Sequence, residues 1–248
     1  MKAIKEFLGR IWALWAILIF VVTMLFFLIP FLLFSYPLHE PMKTIRFITF
    51  SRTWMRLYLF LIGCPLTVKG KQHFNRGENY IVLCNHNSLI DIPVSSPAIP
   101  GGNKTIAKKE MAKVPLFGML YRTGSVLVDR NSDASRKDSY LKMKKVLEMG
   151  LHMCIYPEGT RNKSKEPLKP FHNGAFRLAL ETKKSIIPSL IFNSKKVLPA
   201  NKTFYGEPHP LTIHFLEAVP VLETDTIDSL NKKCFKIMKE YYVQKIKN

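Results

Sequence analysis

Acidic side chains are scarce in this 248-residue sequence: 18 Asp and Glu stand against 37 Lys and Arg, a formal net charge of +19. Twenty of the basic and eight of the acidic residues fall between positions 101 and 200, so the excess is not a terminal tail. Such a charge calls for an anionic partner: phospholipid headgroups, nucleic acid or an acidic carrier. Cysteine is scarce as well. Cys64, Cys84, Cys154 and Cys234 are scattered without a C-x-x-C pair, which speaks against a zinc site, supplies no disulfide framework and points to reduced, buried thiols. The sequence also lacks G-x-S-x-G, a P-loop, H-E-x-x-H and G-x-G-x-x-G, and with them the usual signatures of serine hydrolases, nucleotide-phosphate cradles, zinc proteases and dinucleotide folds. Internal repeats and low-complexity tracts are missing, and a 47% apolar content excludes disorder.

One uncharged run is conspicuous. Ile11 to Phe34 reads IWALWAILIFVVTMLFFLIPFLLF, which as a helix spans about 36 Å and suffices to cross a hydrocarbon core of roughly 30 Å. It is too long for the apolar part of a signal peptide, and no small-x-small cleavage site follows. Basic residues flank it on both sides (Lys2, Lys5, Arg10; Lys43, Arg46), so the positive-inside rule leaves two arrangements open. Either one helix spans, or Pro30 helps bend a re-entrant hairpin. A second apolar stretch, Phe47 to Pro65, carries Arg52 and Arg56 at i, i+4. Their heads are expected to snorkel to lipid phosphates while Trp54, Tyr58 and Phe60 occupy the interface. Residues 1–65 are thus expected to form membrane-anchoring helices and 66–248 the globular domain.

Beyond Leu66 short β-rich runs alternate with helical patterns. Strands are expected at Tyr80–Cys84, Ser125–Val128, Met153–Tyr156, Ile186–Ile191 and Thr212–Leu216, with helices at Ser135–Met149 and Gly174–Thr182. This alternation predicts an α/β fold with a mixed, mostly parallel sheet flanked by helices. From Thr226 onward, Ile227, Leu230, Cys234, Ile237 and Tyr241 recur at steps of three and four, an amphipathic helix.

The strand YIVLC runs into Asn85-His86-Asn87-Ser88-Leu89-Ile90-Asp91. A histidine where a buried strand ends is placed to expose its imidazole. Asp91 can accept a bond from one ring nitrogen, fixing the tautomer and leaving the other as a base. A five-residue spacing puts His86 before a helix and Asp91 inside it. Alone, this pair is a weak signal. Tyr156-Pro157-Glu158-Gly159-Thr160-Arg161 follows a second apolar strand, where glycine exposes backbone N–H groups and Arg161 offers a planar fork suited to phosphate. Arg130 ends another strand beside Asp129, and Lys108 follows the short apolar Thr105-Ile106-Ala107. Salt bridges from Asp129 or Glu158 to these arginines are the bland alternative.

In order and spacing, N-H-x4-D at Asn85–Asp91, Gly124–Arg130, Tyr156–Arg161 and Ile187-Pro188 resemble the four signature blocks of the glycerolipid acyltransferase family, in particular its bacterial 1-acylglycerol-3-phosphate acyltransferases. The resemblance covers roughly Leu66 to Pro220. Asn87 stands where Gln is frequent, Tyr156 where Phe is usual and Asn162 where Ser is common. His172-Asn173 replace lysines. The resemblance implies acyl transfer from acyl-CoA or acyl carrier protein to the sn-2 hydroxyl of lysophosphatidic acid at the cytosolic face of the cell membrane. His86 and Asp91 are then catalytic, and Glu158, Gly159, Thr160, Arg161, Arg130 and Lys108 bind substrate. No metal or other cofactor is implied. A lyso-aminolipid or glycerol 3-phosphate acceptor keeps the same chemistry. A basic, non-catalytic membrane- or RNA-binding role is disfavoured, because the aromatics concentrate in the N-terminal segment and no RNA-recognition motif follows.

Overall fold

Short β-branched runs separated by amphipathic helices can bury both sheet faces only in a layered α/β arrangement. The computed structural model, which describes residues 2–129 and 131–247, has that architecture. Seven strands, β1 (Leu66–Lys69), β2 (Ile81–Cys84), β3 (Asn103–Lys108), β4 (Ser125–Val128), β5 (His152–Ile155), β6 (Ile186–Phe192) and β7 (Leu211–Phe215), form one sheet in the order β1-β7-β6-β2-β5-β3-β4. Neighbours pair in parallel except β6 and β7. The sheet is therefore mixed and mostly parallel, as expected. The expected strands occur within a residue or two of their predicted bounds, whereas β1 and β3 were not anticipated. Polar residues conceal β3. Its Asn103 is buried through bonds to the Ser96 hydroxyl and carbonyl, and Lys104 pairs with Glu40 at 2.7 Å.

The helices are α1 (Lys2–Phe34), α2 (Met42–Leu61), α3 (Asp91–Ala98), α4 (Phe117–Thr123), α5 (Asp133–Glu148), α6 (Gly174–Thr182), α7 (Ser194–Val197) and α8 (Ile227–Lys247). Strand alternation sorts the core into two layers. Ile81, Leu83, Met153 and Ile155 face α5, α6 and α8, where Leu230, Cys234 and Met238 bury the amphipathic tail helix. Val82, Cys84 and Cys154 face α1, α2 and α3. All four cysteines are buried and free.

Helix α1 does not project away from this body. Its buried residues Gly9, Ala13, Ala16, Thr23, Met24, Leu28 and Phe31 fall on one helical face and line the domain, while Phe7, Leu14, Leu18, Phe26 and Leu33 stay exposed. The helix continues through Pro30. Small residues let it come close: a Cβ on Gly9 would sit 2.3 Å from the Tyr205 ring. Trp12 donates to the Ile62 carbonyl at 3.0 Å and Trp54 to the Thr23 hydroxyl at 3.0 Å. Trp54, Met55 and Leu59 share one core with Val82 and Ile213, so packing is continuous across residue 65.

The lipid-facing expectation for the second apolar stretch is corrected in part. Trp54 and Tyr58 are buried, and only Phe60 is exposed. The Arg52 guanidinium turns inward and donates to the carbonyls of Pro97, Ile99 and Gly101 at 3.2, 2.8 and 2.5 Å. The Pro97 carbonyl belongs to the last turn of α3 and the other two follow it, and a fork of N–H donors satisfies all three at once.

His152, at the start of β5, is a structural histidine. Its Nδ1 accepts the Tyr80 N–H at 3.0 Å and its ring stacks on Tyr80. Burial, reinforced by the Arg52 charge, pushes its pKa down to about 4. The folded state therefore binds fewer protons than the unfolded one below the ordinary histidine pKa, and stability falls as pH drops from about 6.5 to about 4. The loss should approach about 3 kcal/mol. Unfolding curves of His152→Gln and the parent protein across that range check this: the variant should show the flatter pH dependence, and parallel curves would contradict the assignment.

Candidate active site

The parallel strands β2, β5, β3 and β4 end at one edge of the sheet; His86 and Asp91 follow β2 there, and the Tyr156–Arg161 segment follows β5. Asn85 continues the ladder past the end of β2. Its side-chain amide donates to the Ile191 carbonyl at 3.0 Å and accepts the Ile191 N–H at 2.7 Å. His86 is then fixed through its own backbone. Its N–H donates to Glu158 Oε1 at 2.8 Å, and its carbonyl accepts the Asn162 N–H at 2.6 Å.

Asp91 opens α3, as the spacing required. It is fully buried, and one oxygen, Oδ2, accepts the Asn87 and Ser88 N–H groups at 2.6 and 2.7 Å and faces His86 Nδ1 at 2.9 Å. Its place in the first turn of the helix further favours negative charge. A carboxylate only accepts, so Nδ1 carries the proton and Nε2 keeps its lone pair. Nε2 has no hydrogen-bond partner among the described residues, and the His86 side chain keeps 15% of its surface exposed. Tyr156, whose role the sequence did not disclose, packs its ring 4.4 Å from the imidazole, centroid to centroid. The Tyr156 hydroxyl is held by Ser95 Oγ at 2.6 Å. Only the adjacency of β2 and β5 brings these two rings together.

The second turn braces the first. Gly159 has φ +70°, and a Cβ there would lie 2.7 Å from the His172 ring, so glycine meets both a backbone and a space requirement. Glu158, expected to help position a phosphate, is otherwise engaged: it is 1% exposed, Oε1 holds the His86 N–H, and Oε2 holds the Lys169 N–H at 2.9 Å. Burial raises its pKa above the ordinary carboxylate value, against those stabilising N–H bonds. Thr160 accepts from Lys169 Nζ at 2.6 Å. Arg161 is half-buried and makes no ion pair among the described residues, so the alternative of a Glu158–Arg161 bridge is not what the fold contains. Lys108 is the exposed last residue of β3, two strands from β2 and hence about 10 Å across the sheet. Arg130 lies outside the described residues.

A family model described as "Acyltransferase" matches residues 65–191. Similar proteins include the 1-acyl-sn-glycerol-3-phosphate acyltransferase of Cocos nucifera, 33% identical over 66% of this chain and 53% of that protein. The enzyme of the same description from Helicobacter pylori is 36% identical over 59% of this chain and 61% of its own. The chain thus spans about half to two thirds of the length of such curated relatives. In fold, it resembles the crystal structure of the 1-acyl-sn-glycerophosphate acyltransferase PlsC from Thermotoga maritima, with a TM-score of 0.77 at 20% identity, over 98% of this chain and 97% of that one.

The Glu158 brace has a direct test. In Glu158→Gln one of the two acceptor oxygens becomes an NH2 group that meets a backbone N–H, which removes a bond and leaves a buried donor unpaired. The expected cost is about 1–3 kcal/mol, read as a lower thermal midpoint in detergent. An unchanged midpoint would show that the carboxylate does not hold the two turns together.

Proposed function

The chain belongs to the acyltransferase family, and from that membership we propose that it transfers a fatty acyl group from a thioester donor to the sn-2 hydroxyl of lysophosphatidic acid, giving phosphatidic acid. One observation carries the mechanism: a buried carboxylate 2.9 Å from His86 Nδ1 leaves Nε2 as a base on a side chain that stays partly exposed at the sheet edge. Nε2 takes the acceptor hydroxyl proton as the oxygen attacks the thioester carbonyl. Asp91 stabilises the imidazolium that forms. When the tetrahedral intermediate collapses, the C–S bond breaks and the proton passes from the imidazolium to the leaving thiolate. No acyl-enzyme is required. Arg161 holds the acceptor phosphate beside the Gly159 turn. Contrary to the expectation of exposed donors, the Gly159 and Thr160 N–H groups of that turn are already taken by the Tyr156 and Glu158 carbonyls. Lys108 adds charge at the same edge. Alignment of two flexible chains supplies much of the rate by removing entropic cost.

The donor is acyl-CoA or an acyl carrier protein; both are anionic and suit a chain of charge +19. His86 and Tyr156 lie toward the layer built by α1, α2 and α3, and α1 keeps one apolar face exposed along its length. Such a helix, docked on one side and apolar on the other, suits burial in the cytosolic leaflet of the cell membrane, where acceptor and product reside.

His86→Ala should lower turnover by about 10²–10⁴-fold with the fold and membrane attachment intact, and Asp91→Asn should lose most activity through a misoriented imidazole. Assays with purified protein, lysophosphatidic acid and each donor decide this; retention of more than about a tenth of wild-type turnover by His86→Ala would sink the mechanism.

Arg161→Ala should reduce kcat/KM for lysophosphatidic acid by one to two decades, since a charge-assisted contact is worth roughly 1.5–3 kcal/mol. The same variant should change much less towards monoacylglycerol, which lacks the phosphate. Equal losses on both acceptors would assign Arg161 to the turn rather than to substrate.

A further inference from the structure

A second cleft, of about 560 Å³, lies between the turn joining α1 to α2 and the segment following β3. The acyl-transfer mechanism does not use it. Tyr36, Glu40 and Lys43 line one wall; Lys113, Leu116 and Arg122 are among the residues of the other. Its charge is one-sided. Glu40, the one acid in the lining, is engaged by Lys104 Nζ at 2.7 Å and the Thr44 hydroxyl at 2.6 Å. Lys43 Nζ sits 4.8 Å over the Tyr36 ring, and Arg122 uses one N–H on the Ala112 carbonyl at 3.0 Å, which fixes its position and leaves further donors.

The rim is apolar where a soluble anion would need polar closure. Met111, Val114 and Leu116 are 41, 43 and 46% exposed. Leu116 has φ +61°, a conformation costly for a branched residue, yet its side chain gains little packing from the protein. Leu32, Leu33 and Phe34, exposed at the end of α1, come just before Tyr36 of the cleft wall in the chain. Cations beside exposed apolar side chains and an aromatic ring combine the two contacts that a lipid headgroup and its acyl region would make.

We propose that this cleft binds the anionic headgroup of a bilayer phospholipid: Lys43, Lys113 and Arg122 take the phosphate, and Met111, Val114 and Leu116 enter the acyl region beside α1. This site is separate from the acceptor site at Arg161, and it rests on the reading that α1 lies in a leaflet. A bound bilayer lipid there sets the height and tilt at which the His86 edge meets the membrane.

The test measures partitioning of the full-length protein, diluted from detergent, onto phosphatidylcholine vesicles with and without phosphatidylglycerol at fixed salt. Lys43→Ser combined with Lys113→Ser should lose about tenfold of the phosphatidylglycerol-dependent gain. Arg46→Ser with Lys109→Ser removes the same charge from exposed positions outside the cleft and should lose clearly less. Equal losses in the two pairs would overturn the site in favour of diffuse charge attraction. Val114→Ser with Leu116→Ser should weaken binding to both vesicle types; no change would overturn the insertion. Release of wild-type protein by glycerol 3-phosphate, beyond the effect of sodium chloride at the same ionic strength, would assign the cleft to a soluble phosphate instead. The two readings fail separately. Wild-type protein that leaves both vesicle types unbound sinks the leaflet placement of α1, whereas binding without any gain from phosphatidylglycerol sinks only the cleft.

Discussion

One carboxylate oxygen organises the site. Asp91 Oδ2 accepts two backbone N–H groups and faces the imidazole within 2.6–2.9 Å, in a position closed to solvent. Burying a lone carboxylate is costly; those donors and the start of α3 offset the cost at Oδ2, while Oδ1 is buried without a hydrogen-bond partner among the described residues. The same bonds tie the Asn87-Ser88 turn to the helix. Orientation of His86 and formation of the turn that carries it are therefore one event, and the imidazole is pre-aligned before any acceptor arrives.

That arrangement depends in turn on the parallel pairing of β2 with β5. Pairing brings the Tyr156–Asn162 turn against the Asn85–Asp91 turn, so that Glu158 and Asn162 grip the N–H and carbonyl of His86. It also lays Tyr156 against the ring, a contact between residues 70 positions apart. Because both side chains lie toward the α1–α3 layer, the chemical edge and the apolar helix face are built on the same side of the sheet. With α1 placed in a leaflet as proposed, a lipid acceptor would reach His86 without leaving it.

Features that rest on local pattern were legible in the sequence. Strand Ser125–Val128, helix Gly174–Thr182 and the buried face of the C-terminal helix needed only periodicity and boundary residues. The His86–Asp91 pairing followed from spacing, since a turn before a helix is what lets residues five apart meet. What stayed hidden was decided by distant partners. Strand β3 reads as polar until Lys104 meets Glu40 and Asn103 meets Ser96. Arg52 reads as a lipid-facing cation until the carbonyls after α3 are placed beside it. Glu158 reads as a neighbour for phosphate, yet two backbone N–H groups claim its oxygens. In each case a charged or polar side chain satisfies buried backbone or a buried counter-ion, a demand that no local window displays.

The positive charge divides by the same criterion. Arg52, Lys104 and Lys169 are committed to carbonyls, a carboxylate or a hydroxyl of the protein itself, and are part of its framework. Arg161 and Lys108 stand at the catalytic edge, and Lys43, Lys113 and Arg122 surround the cleft beside α1. Like charges held close without internal counter-ions repel one another and cost stability unless an external anion compensates. On the proposed function, a lipid phosphate would supply that compensation at the cleft and the acceptor phosphate would supply it at Arg161. Lys137, Lys142, Lys144 and Lys145 on α5 and Lys232, Lys233, Lys236 and Lys239 on α8 belong to the opposite layer, so the excess of cations is spread over both sides of the sheet.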